Sequence, residues 1–383
     1  MAIEDHEKEL TYCTFCPKLC RHACPVSNAL GHEALIPQSK MQILEMLRRG
    51  AIPWQQSYID PLFACTGCRL CQQYCEHQND VAATLWEGRA AARERGLGHA
   101  ALEGLPLRVR ERARELRSTL ERSSLAAQLT KKARVGFIPG FDTISSEGGA
   151  PDLSGIEDAF FVFDRLGLDF VRLADTLLGD AGYALWAGGF VEGARFYAEE
   201  LCKQLRNYPT VVVASAATAW LLRVFLPEQG FDHGTEVLHI SEFLAPHAER
   251  LEARRRRFAA FYHDPSYLGR YLGVYDAPRR LLARCVESPR EFFHHHEKAE
   301  GCGAGGLLAL TYPEAATGQA LHLLEEPQLF GVNVVVTACP TCRHTLQAAS
   351  SPLEVIDLVS LVAWSLREPE QLEAPRRSLS EPS

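Results

Sequence analysis

Cys13-Thr-Phe-Cys16-Pro-Lys-Leu-Cys20-Arg-His-Ala-Cys24-Pro25 and Cys65-Thr-Gly-Cys68-Arg-Leu-Cys71-Gln-Gln-Tyr-Cys75 hold eight of the chain's 13 cysteines. Three close thiolates with a fourth just beyond wrap a compact iron–sulfur cube. Two other chemistries use clustered cysteine. Disulfides suit small secreted domains in oxidising compartments. Structural zinc usually takes pairs of Cys-x-x-Cys a dozen or more residues apart. Four cysteines crowd each run here, so the spacing favours iron–sulfur. Two irregularities stand: three residues separate Cys16 from Cys20 where the usual bacterial run has two, and the second run lacks a proline equivalent to Pro25.

In two-cluster ferredoxins the fourth cysteine of a run crosses over to the other cluster. Applied to these runs, Cys13, Cys16, Cys20 and Cys75 are the expected ligands of one [4Fe-4S] cluster. Cys65, Cys68, Cys71 and Cys24 are the expected ligands of the second. Between the runs, Ser39-Lys40-Met41-Gln42 reads as a capping-box start, with Met41, Leu44 and Leu47 at helical spacing and Gly50 as the stop. Asp60-Pro61 marks the turn into the second run. Two cysteine loops separated by a helix predict an α-helical ferredoxin module.

The chain's 383 residues suffice for two or three cores. Its 46% hydrophobic and 23% charged content is that of a soluble globular protein, and a net charge of −8 gives no general nucleic-acid footprint. The polar, acidic start is unlike a signal peptide, and no apolar run is long enough to span a bilayer. A reduced, cytoplasmic location suits exposed thiolates. From Asn79 to Lys132, arginine and glutamate alternate with leucine and alanine, which predicts solvated connecting helices.

After Lys132, short β-rich runs alternate with Gly/Pro loops and helical stretches, the pattern of an α/β fold. The region also repeats itself. Val211-Val-Val-Ala-Ser-Ala216-Ala-Thr-Ala219 lies over Val334-Val-Val-Thr-Ala-Cys339-Pro-Thr-Cys342, offset by 123 residues (339 − 216). Asp180-Ala181-Gly182 lies over Gly301-Cys302-Gly303 at an offset of 121 (302 − 181), and Phe141 lies over Ser266 at 125 (266 − 141). Nearly constant offsets predict two copies of one unit.

These landmarks resemble the cysteine-rich domain named for its Cys-Cys-Gly motif. It occurs twice in heterodisulfide reductase catalytic subunits and in the iron–sulfur subunits of glycolate oxidase, lactate utilisation and anaerobic glycerol-3-phosphate dehydrogenase. Those proteins place a two-cluster ferredoxin module ahead of two such domains. The resemblance thus implies a multi-domain fold: an N-terminal α-helical ferredoxin module followed by two α/β cysteine-rich repeats. The expected boundaries are 1–80 for the ferredoxin, 81–132 for a charged helical linker, 133–245 and 250–366 for the repeats, and 367–383 for a disordered tail.

The family pattern is one cysteine, then Cys-Cys-Gly, then Cys-x-x-Cys. In the second copy Ser266 and Gly301 stand at two of those positions, leaving Cys302, Cys339 and Cys342. In the first copy Phe141, Asp180, Ala181, Ala216 and Ala219 occupy all five, which marks a pseudo-domain. The three remaining cysteines are a candidate third site for an iron–sulfur cluster, with Ser266, His263 or water completing it, for zinc with His344 or His263, or for nothing. Gly301-Cys-Gly-Ala-Gly-Gly306 reads as a tight turn bringing backbone near a cluster rather than as a nucleotide loop. The runs Arg254–Arg257 and His294–His296 read as solvated surface, the arginines on a helix face, and Cys202 and Cys285 as buried thiols.

The chain shows no flavin, nicotinamide or haem fingerprint. Two adjacent cubes read as a wire, so the expected role is a non-autonomous oxidoreductase subunit, an electron carrier that makes and breaks no substrate bonds itself. By resemblance, its donor is a flavoprotein dehydrogenase or electron-transfer flavoprotein. Its acceptor is a quinone-reactive membrane subunit, holding the chain peripherally on the inner membrane face, or a thiol/disulfide couple. The rival expectation is a catalytic heterodisulfide or quinone reductase subunit working at Cys302, Cys339 and Cys342.

Overall fold

The computed structural model describes residues 3–140, 152–174, 181–251, 253–349 and 351–367. Phe141, Asp180 and the tail from Glu368 lie outside them. The N-terminal region is helical, as expected: α1 (Glu7–Phe15), α2 (Pro25–Leu30) and α3 (Pro37–Arg48) carry or flank the first cysteine run. Leu10, Met41, Leu44 and Leu47 form the shared core of α1 and α3. The α3 start differs from the capping-box reading. Pro37 occupies the first turn, where its missing N–H costs nothing, and the Ser39 hydroxyl donates instead to the Glu33 carbonyl.

Helix Val81–Glu94 corrects the expectation of solvated connectors. Most of its residues are buried, Thr84 and Arg89 completely. Helix Leu105–Glu121 follows the expectation better, burying Leu105, Val109, Leu116 and Leu120 beneath an arginine-rich outer face.

The remainder is built on two four-stranded, wholly parallel sheets. The first runs in the order β2 (Val171–Leu173), β1 (Val135–Ile138), β3 (Thr210–Val213), β4 (Glu236–His239). The second runs β6 (Val286–Glu291), β5 (Arg256–His263), β7 (Val334–Thr337), β8 (Glu354–Asp357). The two orders are the same, and the aligned valine runs are β3 and β7 in the same place. Both valine runs are buried, because helices cover each face of a parallel sheet. Arg256 and Arg257 open β5, and the Arg256 guanidinium lies over Trp364, so this arginine run is not a helix face.

In each sheet the strand order reverses between two central strands, β1/β3 and β5/β7. Crevices at the carboxyl ends of such strands are where open α/β sheets bind ligands. In the second sheet, Ser266 follows β5 and Cys339 and Cys342 follow β7. Cys339 N-caps helix Pro340–Ala348. In the first sheet the matching helix, Ala216–Trp220, presents no thiol. Ala216 and Ala219 are buried, and Trp220 packs on Tyr267 and Tyr271. Cys202 and Cys285 are buried thiols.

Candidate metal centre

Two adjoining cavities receive the eight N-terminal cysteines. The outer is lined by Cys13, Cys16, Cys20 and Cys75, together with Tyr12, Gln38, His77 and Asn79. The inner is lined by Cys24, Cys65, Cys68 and Cys71, with Lys40, Thr66 and Arg69. Cys71 and Val81 line both, so the two cavities share a wall.

Local structure explains the placement. Cys13 sits in the last turn of α1, where the Asn79 amide donates to its sulfur at 3.3 Å. Cys24 precedes Pro25, the first residue of α2, so its thiol is held at a helix start. Gly67 takes φ +67° and points its N–H at the Cys65 sulfur, 3.4 Å away. A Cβ on Gly67 would come within 2.8 Å of the Tyr267 hydroxyl, which explains glycine there.

Burial pushes the Cys13 thiol up to about 12 and the Cys20 thiol up to about 11. Such thiols ionise when a metal takes the place of the proton. Tetrahedral zinc bound at ~2.3 Å would hold its sulfurs about 3.8 Å apart. Among the described residues, the one trio of His, Cys or acidic ligand atoms within 4.8 Å of one another is Glu291, His295 and His296. No three of the eight cysteine sulfurs therefore lie within 4.8 Å of one another, a spacing too wide for one tetrahedral zinc. The Glu291 trio carries no comparable case, because both Glu291 carboxylate oxygens accept from Arg279.

Charge is unevenly shared between the cavities. Lys40 is 1% exposed, and its ammonium donates to the Ala64 carbonyl at 2.6 Å with the Cys24 sulfur at 3.9 Å. Burial favours loss of its proton, but the thiolates of Cys24, Cys65, Cys71 and Cys68 outweigh burial and raise its pKa. Arg89, fully enclosed, donates to the carbonyls of Leu62, Cys65, Ala187 and Gly306. Arg270 donates to the Cys68 carbonyl and to Ser266 Oγ. None of the three has a carboxylate partner among the described residues.

Sequence reasoning missed these cations. Lys40 lies one helical turn before Leu44, and Arg89 one turn after Leu85, both on apolar stripes; that spacing was the available signal.

The three C-terminal cysteines are all buried, and the Cys302 thiol donates to the Cys342 sulfur at 2.9 Å. Contact with the Cys302 and Cys339 thiols, followed by burial, holds the Cys342 thiol well above its ordinary range. That sulfur separation is too short for two zinc ligands. Two of the suggested fourth ligands, His263 and Ser266, are engaged elsewhere. His263 spends its ring nitrogens on Thr337 Oγ1 and the Glu300 carbonyl, and Ser266 Oγ accepts from Arg270. Gly301 adjoins the inner cavity: a Cβ there would stand 3.3 Å from Ser266 Oγ and 3.6 Å from Cys68 Cβ. The glycine turn also meets the cysteine loop directly, for a Cβ on Gly306 would fall 2.0 Å from the Cys65 carbonyl oxygen.

Comparison with known proteins agrees with this chemistry. Residues 9–79 match the 4Fe-4S dicluster domain, and residues 260–347 match the Cysteine-rich domain. The chain is an iron–sulfur protein joining these two domains, and the dicluster domain implies two [4Fe-4S] clusters. A component of the dihydromethanophenazine:CoB–CoM heterodisulfide reductase of Methanosarcina acetivorans is 26% identical over 94% of this chain and 94% of its own length. A component of the fumarate reductase (CoM/CoB) of Methanothermobacter marburgensis is 26% identical over 74% of this chain and 56% of its own length. The probable iron–sulfur-binding oxidoreductase FadF of Bacillus subtilis is 24% identical, over 80% of this chain and 47% of its own length. No helix among the described residues is long and apolar enough to cross a membrane.

Proposed function

We propose that the chain is an electron-relay subunit of a heterodisulfide-reductase-like oxidoreductase. The observation that carries this reading is the pair of adjoining cavities, each lined by its own four cysteines and sharing Cys71. On this reading Cys13, Cys16, Cys20 and Cys75 hold the outer cluster, and Cys24, Cys65, Cys68 and Cys71 the inner. Each cluster, when bound, takes up or releases one electron at a time. The protein's own part is to hold the sulfurs, to donate hydrogen bonds to them from Asn79 and Gly67, and to set the surrounding charge.

The outer centre is the port. Cys16, Cys20 and Cys75 are half-buried, and Phe15 and Leu19 beside them are 76% and 62% exposed, an apolar rim that suits a protein partner. The reading assigns the donor or acceptor there to a flavoprotein dehydrogenase or electron-transfer flavoprotein. The opposite end goes to a quinone-reactive or thiol/disulfide partner. It places the chain in the cytoplasm or at the membrane surface through that partner. The relatives' names, those of reductase components, support a multi-subunit setting. The common strand order and aligned valines support a duplication spanning 133–245 and 250–366, behind a 1–80 module and an 81–132 connector.

A second reading rests on one observation: three buried thiols converge where the second sheet's strand order reverses, inside the matched Cysteine-rich domain. Were they to ligate a third centre, the chain would itself be a reductase. The Cys302 and Cys342 sulfurs would then have to separate from 2.9 Å, and Ser266 and His263 would have to give up their bonds to Arg270, Thr337 and Glu300 to serve as a fourth ligand. These contacts favour the relay.

Anaerobic reductive titration of the full chain tests the choice. The relay predicts uptake of about two electrons per chain, one for each cluster. Zero uptake contradicts it, and a third electron lost on Cys302→Ser supports the reductase.

A further inference from the structure

The two cavities differ in one respect that hydrogen bonds and packing do not require. No lysine or arginine lines the outer cavity, whose walls beside the cysteines are Tyr12, Gln38, His77 and Asn79. Around the inner stand three buried or half-buried cations, each bonded to the cysteine segments. Lys40 reaches toward the Cys24 sulfur, Arg89 binds the Cys65 carbonyl and Arg270 the Cys68 carbonyl. Arg69, a fourth cation at the inner cavity, differs because Asp80 neutralises it. The other three have no carboxylate partner among the described residues.

A buried ammonium without a counter-ion is costly, so its persistence implies a negative charge nearby. Thiolates ligating iron are that charge. Adding an electron makes the site more negative, so a fixed cation stabilises the reduced form and raises the potential. Burial alone acts in the opposite sense by penalising the more charged reduced state. At the inner site Lys40, Arg89 and Arg270 oppose that penalty, while the outer cavity has no lysine or arginine on its walls.

We propose that Lys40, backed by Arg89 and Arg270, holds the inner centre at a higher reduction potential than the outer one. An electron admitted beside Cys16 and Cys20 then settles next to Cys68, facing Ser266 and Gly301 of the second sheet. Lys40 is a positioning charge, not a ligand. The inference rests on the two-cluster reading above and adds to it a direction of flow, inward.

EPR-monitored potentiometry on the anaerobically purified full chain tests this. Wild type should show two centres with distinct midpoints. Lys40→Gln keeps a side-chain donor for the Ala64 carbonyl but removes the charge. It should move the higher midpoint to more negative potential, leaving the lower midpoint and the iron content unchanged, and Lys40→Arg should restore the wild-type value. An unmoved higher midpoint at full iron content, or an equal shift of both, overturns the proposal. Should Lys40→Gln lose iron, Cys16→Ser decides the matter in the other direction: it must alter the lower-potential signal, and alteration of the higher one overturns the proposal. A wild-type chain without iron–sulfur signals overturns the two-cluster reading itself, a failure distinct from any misassigned order.

Discussion

Arg89 Nη1 stands 2.7 Å from the Ala187 carbonyl oxygen and 3.1 Å from that of Gly306. With its other nitrogens on Leu62 and Cys65, this guanidinium ties the cysteine loop to the loops of both sheet regions. Four buried carbonyls depend on it. Arg89→Met should therefore leave orphaned acceptors and lower stability by about 3 kcal/mol or more, since each buried unsatisfied group costs ~1–3 kcal/mol. Urea unfolding of wild type and variant measures this. A change below ~1 kcal/mol would show that water or relaxation replaces the guanidinium.

The second sheet's glycine turn meets the cysteine loop backbone to backbone. Gly306 has φ +60°, and a Cβ would fall 2.0 Å from the Cys65 carbonyl oxygen; at Gly305 it would fall 2.1 Å from that of Thr66. Gly306→Ala should cost roughly 2–4 kcal/mol through overpacking and backbone strain. It should also drop iron from about eight toward about four atoms per chain as the inner site opens. Thermal melting with iron analysis checks both; a variant that melts and loads as wild type does would refute the contact.

Outer-centre tuning is separable from inner. The Asn79 amide donates to the Cys13 sulfur, and such bonds stabilise the reduced cluster. Asn79→Leu removes a bond worth ~1 kcal/mol, equivalent to about 40 mV for one electron. The lower midpoint should move negative by that order and the higher should stay.

A pH dependence follows from His239, a fully buried imidazole whose Nδ1 accepts from the Ser241 N–H while Nε2 donates to the Ala214 carbonyl. Burial pushes its pKa down to about 4, whereas an unfolded imidazole titrates near 6.5. Between those values the unfolded chain binds a proton that the folded chain refuses. Stability is thus lost as pH falls from about 6.5 toward 4, by about 2 kcal/mol at pH 5. His239→Gln removes this term, so the stability gap between wild type and variant should narrow by that amount between pH 7.5 and 5. Comparing the two proteins at each pH cancels acid effects on the clusters. A constant gap rules the imidazole out.

The cysteine runs were legible because a cube draws its thiolates from short segments, whereas the expected grouping of Cys75 with Cys13, Cys16 and Cys20 came from the ferredoxin crossover pattern and not from spacing. The valine runs of β3 and β7 were legible because parallel strands are buried on both faces. What escaped depends on distant partners. Lys40 is buried by Ala64 and the second cysteine run, and Arg89 by loops about 98 and 217 residues away. Helix Val81–Glu94 looked solvated because its charges are ordinary in number; only packing shows that Arg89 points inward. The same holds for His263 and Ser266, whose polar atoms were free to be ligands on paper and are bound to Thr337, Glu300 and Arg270 in the fold.

Iron and zinc content of the anaerobically purified full chain, with EPR before and after dithionite, tests the central claim most directly. Two four-iron clusters predict about eight irons per chain, negligible zinc, and interacting [4Fe-4S] signals on reduction. Stoichiometric zinc without iron, or about four irons with a single isolated signal, would contradict the relay.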